Sequence, residues 1–225
     1  MKVIALINEK GGTGKSSTAS NLGTALHRRG GARVVLVDAD SHNGLTDWRG
    51  VREEENVELQ KQGRALRPTV DLPPVVSLSK PHLIASVRNL AADIVIIDAP
   101  ANAADMNSKI IGIADIALLV MEPTGGSIRG SAATVKMIRQ KLDLGGKVDA
   151  AILLNKVITG QKLSQAAVSG EWNNYGLDLM DNTISNRVAV QSAFTDGVSV
   201  YDLNDGTAKA EIDFLIDELE TAKWL

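Results

Sequence analysis

The apolar residues of this chain fall into short continuous runs: Val3–Ile7, Val34–Val37, Ile94–Ile97, Ile116–Met121 and Ala151–Leu154. They do not alternate with polar residues. Runs of this length fit strands buried on both faces, as in a parallel sheet covered by helices. Between them the apolar period becomes helical. Ala19, Leu22, Ala25 and Leu26 mark one helix, and Ile128, Ala132, Val135, Ile138 and Leu142 mark a second. Ile212, Leu215, Ile216 and Leu219 mark a third within Glu211–Lys223. The alternation predicts an α/β fold: a mostly parallel sheet, helices on both faces, right-handed crossovers. The segment Arg52–Pro74 is mostly polar, and Arg67-Pro68 and Pro73-Pro74 disfavour continuous helix. It is expected to form a surface excursion before a short strand near Val75–Leu78. With no repeat, low-complexity tract or linker, residues 1–225 are read as one domain.

Composition narrows the chemistry. The 225 residues are 44% apolar but include just three Trp, two Tyr and two Phe, so the core must be aliphatic. The absence of cysteine excludes disulfides, thiolate zinc sites, cysteine-ligated iron–sulfur clusters and a cysteine nucleophile. His27, His42 and His82 are scattered and suggest no metal site. A net charge of −3 argues against a uniformly basic coat for nucleic acid, though not against a local patch. No apolar run approaches the length of a membrane span, and the start, MKVIALINEK, is too short in apolar residues for a signal peptide. The expected compartment is the cytoplasm.

The strongest motif follows the first run: Lys10-Gly11-Gly12-Thr13-Gly14-Lys15-Ser16-Ser17. The general phosphate-loop pattern G-x-x-x-x-G-K-[ST] would need glycine at Glu9, but the variant K-G-G-x-G-K-[ST] matches at every fixed position. Gly11, Gly12 and Gly14 can take positive φ and let backbone N–H groups approach phosphate oxygens. A helix starting near Gly14 adds unpaired donors and a favourable dipole. Lys15 is expected to contact the β- and γ-phosphates, Ser16 to hold Mg²⁺ and Ser17 to reach the α-phosphate.

Two further runs end in acid. Val37-Asp38-Ala39-Asp40 puts two carboxylates where α/β sheets bind ligands, at spacing two, which projects both alike in extended backbone. One would polarise the attacking water while the other holds the loop or magnesium waters. Ile94–Ile97 followed by Asp98 is a Walker B pattern, with Asp98 expected to bind Mg²⁺ through water. Leu154-Asn155-Lys156-Val157 resembles the guanine-reading N-K-x-D motif, but Ile158 replaces its aspartate, which favours adenine, with Asn155 as candidate base contact.

Lys10 carries a resemblance. The loop with its extra lysine is similar to that of the deviant Walker A family, which holds ParA-type partition ATPases, MinD and nitrogenase iron protein. Asp38-Ala39-Asp40 with Leu45-Thr46-Asp47-Trp48, and Ser192–Val200 with the segment from Asp205 to Ile212, resemble the small ParF-like members that lack an N-terminal helix-turn-helix domain. The resemblance implies a P-loop NTPase-like fold and a Mg²⁺-dependent ATPase using ATP, with weak activity stimulated by a partner and DNA. It implies a homodimer bridged by ATP, in which Lys10 reaches the other protomer's phosphates. Asp40 matches the family's hydrolytic aspartate, and Arg187 falls where relatives place a loop near the base or the DNA surface. The implied partners are non-specific DNA and a small ParB-like or ParG-like centromere-binding protein; the implied location is the nucleoid.

Departures and absences refine this. Ser41-His42 stands where Pro-Gln is usual, Thr13 replaces a common valine, and Glu122-Pro123 begins a modified loop. Missing cysteines exclude the iron–sulfur branch. The C-terminal segment carries Glu211, Asp213, Asp217, Glu218 and Glu220 against one lysine, unlike a helix built for anionic lipid. No membrane partner is therefore expected. The segment Ser127–Leu142 holds Arg129, Lys136, Arg139 and Lys141 and no acid, with Lys147 beyond it, and is the candidate DNA face. Alternatives are the same switch acting on another cargo (carboxysome, chemoreceptor or conjugation complex), or an ATP-dependent small-molecule synthetase on the same fold.

Overall fold

The computed structural model describes residues 1–65, 72–162, 164, 166 and 176–225. Its strands are β1 (Lys2–Ile7), β2 (Val34–Asp38), β3 (Val75–Ser77), β4 (Ile94–Asp98), β5 (Ile116–Met121), β6 (Asp149–Leu154) and β7 (Asp178–Leu179). Its helices are α1 (Lys15–Arg29), α2 (Gly44–Lys61), α3 (Ala104–Ile113), α4 (Gly125–Asp143), α5 (Val188–Thr195) and α6 (Gly206–Thr221). Pro81–Asn89 and Val200–Asp202 are 3₁₀ segments.

The strands form one parallel seven-stranded sheet, in the order β3-β2-β4-β1-β5-β6-β7. This is the expected α/β architecture. Strand β1 lies between β4 and β5, so the connections reverse direction beside it and open a crevice at its C-terminal end. Alternate residues of β1 feed two cores. Ile4 and Leu6 join α1, α2 and α6 on one face, through Leu22, Trp48 and Leu215. Val3, Ala5 and Ile7 join α3 and α4 on the other, through Ile110 and Ile138. Both faces are covered, which is why the apolar runs are continuous rather than alternating.

Helix α1 approaches the sheet closely at Gly23, where a Cβ would lie 2.4 Å from a Leu36 methyl carbon. It ends at Gly30 and Gly31, which take φ of 73° and 81°. The acidic C-terminal helix α6 buries Ile212, Leu215, Ile216 and Leu219, so its apolar face belongs to the core. Among the described residues, no helix is long and apolar enough to cross a membrane.

One expectation is corrected. The polar segment from Arg52 does not begin as an irregular excursion: it continues α2 as far as Lys61. Leu45, Trp48 and Arg52, spaced by three and four, share the buried face. Trp48 Nε1 donates to Val198 O at 2.9 Å. Arg52 donates to Gly197 O at 3.2 Å and pairs with Asp202 at 3.1 Å. An arginine counts as polar in a sequence pattern, but a paired one can fill a core position. The helix-disfavouring Arg67-Pro68 pair lies outside the described residues.

Candidate nucleotide site

The crevice at the end of β1 contains the glycine-rich loop. Gly12 and Gly14 adopt φ of 76° and 91°. Both need glycine's freedom. Gly11 has no such requirement, and a Cβ there would meet Ala101 at an ordinary 3.6 Å. The loop is tied down from both sides. Asn8 Nδ2 donates to Val120 O and Ser131 Oγ, each at 2.8 Å, and its Oδ1 accepts from Lys10 N at 3.0 Å. Glu9 N donates to Thr134 Oγ1 at 3.0 Å, and the Glu9 carboxylate accepts from Asn107 Nδ2.

Lys15 opens α1 and folds back over the loop. Its Nζ donates to Asn8 O at 3.0 Å and Lys10 O at 3.3 Å. Burial lowers its pKa, opposed by the carboxylates of Asp98, Asp40 and Glu9. Ser16 and Ser17 follow on the first turn, where Ser17 Oγ donates to Gly14 O at 3.0 Å. The first-turn amides of α1 point toward the crevice, a ready anion site.

The three carboxylates separate into different tasks. Asp38 is fully buried and accepts from Thr46 N and Thr46 Oγ1, both at 2.9 Å, so it holds the start of α2. Asp40 lies beyond the end of β2, so the two do not project alike. It lines the cavity with the loop. Burial opposes its charge, but hydrogen bonds from His42 N at 3.0 Å and His42 Nδ1 at 2.8 Å outweigh this, and its pKa falls below the usual carboxylate range.

Asp98 ends β4, in register with both Leu6 and Asp38. It is 1% exposed, and neither carboxylate oxygen has a hydrogen-bond partner. Burial pushes its pKa up to about 7, while the nearby Ser16 hydroxyl and Lys15 ammonium partly offset this. A buried carboxylate with both oxygens unpartnered, beside a serine hydroxyl, fits a hard divalent cation. Among the described residues no group of three or more His, Asp or Glu could hold a metal. An ion at Asp98 would therefore take most of its ligands from phosphate and water, as magnesium does.

The cavity beside the loop measures about 390 Å³ and is lined by Gly11 to Ser17, Asp40, Ala101 and Lys156, with Gln191, Phe194 and Thr195 from α5. The family model described as CobQ/CobB/MinD/ParA nucleotide binding domain matches residues 4–200, spanning all the elements that build this crevice. The chain belongs to this family.

Named relatives of the CobQ/CobB/MinD/ParA family include positioning and partition proteins. The chain is 26% identical over 223 residues to the maintenance of carboxysome distribution protein A of Halothiobacillus neapolitanus, covering 96% of this chain and 95% of that protein. It is 31% identical over 161 residues to the chromosome-partitioning ATPase Soj of Thermus thermophilus, covering 62% and 64%. Among solved structures it resembles an McdA–ATP complex from Cyanothece, with TM-score 0.74, 18% identity, and 98% and 96% of the two chains covered. It also resembles MinD with Mg-ADP from Pyrococcus horikoshii, with TM-score 0.71, 18% identity, and 99% and 98% covered. These two structures show the shared fold. ParA/MinD-type members are nucleotide-binding ATPases.

The structure also places the remaining expected residues of this family member. Asn155, 3% exposed, donates from Nδ2 to Thr13 O at 2.8 Å and accepts Lys156 N at Oδ1. Its amide is thus tied to the loop backbone, and a base contact would have to use its second amide hydrogen or the second lone pair of Oδ1. Arg187 is absent from the cavity wall and pairs with Asp205 at 3.2 Å and Glu211 at 3.7 Å. On α4, Arg129, Lys136 and Arg139 are exposed, with Arg139 donating to Gly176 O at 3.1 Å, but Lys141 is half-buried and donates to Ile111 O at 2.7 Å and Ala114 O at 3.0 Å, closing the end of α3. Lys141 is therefore removed from the candidate DNA face.

Sequence reasoning missed Lys156, Glu122 and the α5 wall. Lys156 takes φ of 56°, unusual for lysine, and its Nζ bonds Gly12 O and Glu122. Its position directly after Asn155 was the available signal. Nothing in the polar–apolar pattern marks Gln191 or Thr195 as crevice residues.

Proposed function

We propose that this protein is an ATP-driven switch in which two copies sandwich two nucleotides, bind DNA non-specifically when joined, and separate after hydrolysis. The observation that carries the reading is the division between the two loop lysines. Lys15 occupies its own phosphate cradle, while the Lys10 head lies outside that cradle, 3.8 Å from Glu122 Oε2. A lysine placed beside a cradle it does not enter is positioned for another molecule's phosphates.

The residues take the following roles. Backbone amides from Gly11 to Ser17 hold the phosphates, and Lys15 neutralises charge on the β- and γ-groups. Asp98 and Ser16 would hold magnesium, which when bound offsets charge on the phosphate oxygens. Asp40, kept ionised by His42, orients the attacking water. Lys10 from the second protomer adds positive charge where the leaving oxygen develops it negative. With positioning and electrostatics carrying catalysis, a partner that completes the geometry accelerates it. The partner we favour is a small ParB-like or ParG-like centromere-binding protein, with plasmid or chromosome partition as the outcome at the nucleoid in the cytoplasm. A second reading, positioning of a carboxysome-like cargo, is favoured by the near full-length similarity to the carboxysome distribution protein. The protein encoded by the adjacent reading frame separates the two: a small basic DNA-binding protein favours partition.

The experiment is gel filtration with ATP and magnesium. Wild type is expected to shift to a dimer, Lys10→Ala to remain a monomer, and Asp40→Ala to stay trapped as the dimer. A monomer throughout with ATPase intact would overturn the sandwich.

A further inference from the structure

Glu122 stands at the end of β5 and receives two cations. Lys156 Nζ lies 2.9 Å from Oε1 and Lys10 Nζ 3.8 Å from Oε2. Lys156 also donates to Gly12 O, so Glu122 is anchored to the loop through it. The Lys10 stem is placed as well. It runs beside Gly130 of α4, where a Cβ would stand 3.4 Å from Lys10 Cβ and Cδ. A residue larger than alanine would occupy the trough the stem uses. Head and stem of Lys10 thus both have resting places within its own protomer.

We propose that Glu122 is a positioning residue that parks Lys10 in cis and sets the ATP level at which the protein dimerises. This rests on the proposed role of Lys10 across the dimer. The physical argument is competition. Lys10 cannot serve Glu122 and a second protomer's phosphates at once, so the cis pair subtracts from the free energy of association. The Lys10 and Glu122 side chains are 33% and 23% exposed, and at 3.8 Å the contact is loose. Pairs of this kind are weak, which suits a brake that must release. Lys156 holds the Glu122 carboxylate through Oε1 and leaves Oε2 toward Lys10. The bent backbone at Lys156 is the cost of aiming that ammonium back at the loop.

The test compares wild type, Glu122→Gln, Lys10→Ala and the double variant. Dimerisation is read by light scattering against ATP concentration, and monomer affinity is read with a fluorescent ADP analogue, with thermal midpoints as a folding control. Glu122→Gln is expected to dimerise at about two- to fivefold lower ATP, the range of a weak exposed ion pair. A gain of this kind is not what structural damage produces. In the Lys10→Ala background the substitution should leave dimerisation absent. An unchanged ATP midpoint in Glu122→Gln would overturn the parking role while leaving the sandwich intact. So would an equal tightening of ADP by Glu122→Gln with and without Lys10, since that reports charge removal alone. Dimerisation of Lys10→Ala at wild-type ATP would overturn the functional reading itself.

Discussion

Asn155 donates its amide to the carbonyl of Thr13 across 142 residues of sequence, at 2.8 Å, and this bond joins the end of β6 to the turn that carries the phosphate loop. The contact explains Gly14 as much as its φ does. A Cβ on residue 14 would stand 2.1 Å from Asn155 Nδ2. Loop and asparagine are therefore one unit: the glycine makes room for the amide, and the amide holds the carbonyl that precedes the glycine.

Asn155→Ala should loosen the loop. It leaves Thr13 O without its partner in a buried place, a cost of about 1–3 kcal/mol. ATP and ADP affinities are expected to fall together, by about tenfold, in isothermal titration calorimetry. The preference for ATP over GTP should not change. A loss confined to adenine nucleotides would instead assign Asn155 to the base.

Asp98 makes a pH prediction with a defined sign. Its folded pKa of about 7 lies above the ordinary 3.8. Between those values the folded protein keeps a proton that the unfolded chain has released, so stability falls as pH rises through this window. Asp98→Asn removes the loss. In urea unfolding without nucleotide, the variant should gain about 2–4 kcal/mol over wild type at pH 8 and little at pH 4. Hydrolysis should be abolished. A stability difference independent of pH would contradict the buried, unpartnered carboxylate.

Arg52 tests the corrected helix. It is 2% exposed and pairs with Asp202. Arg52→Ala opens a void and removes a charge partner, costing about 3 kcal/mol by chemical denaturation. Arg52→Met, which keeps the stem, should recover part of this. Neither should alter the ratio of ATP to ADP affinity. A surface-like effect under about 0.5 kcal/mol would mean that this turn of α2 is not packed.

The basic helix makes the DNA prediction. Arg129→Ala with Lys136→Ala should weaken binding of the ATP form to DNA of any sequence and reduce the salt dependence by about two counterions' worth of slope. Lys141→Ala should lower the thermal midpoint through loss of its two carbonyl contacts and leave the salt slope unchanged. An unchanged slope in the double variant would place the DNA surface elsewhere.

Much of the fold and the loop was legible because local patterns carried it. Val3–Ile7 reads as a strand because both faces are buried, and Lys10 to Ser16 reads as a phosphate loop because glycine geometry and a helix start are local requirements. Asp98 was legible for the same reason, as an acid ending an apolar run. Polar residues whose roles depend on distant partners were not. Arg52 counted as surface until Asp202 and Gly197 came to meet it. Lys141 counted as part of a DNA face until the end of α3 claimed it. Asp38 and Asp40 were expected to project alike, but Thr46 holds the first and His42 the second. The pairing of Glu122 with Lys10 and Lys156 joins residues from three strand ends, which only the order of the sheet brings together. Sequence by itself determined the periodicities and the loop, because a strand's burial and a glycine's φ are properties of neighbours in the chain. The tertiary structure decided which charges are free and which are committed, because a charge is satisfied by whatever group the fold sets beside it.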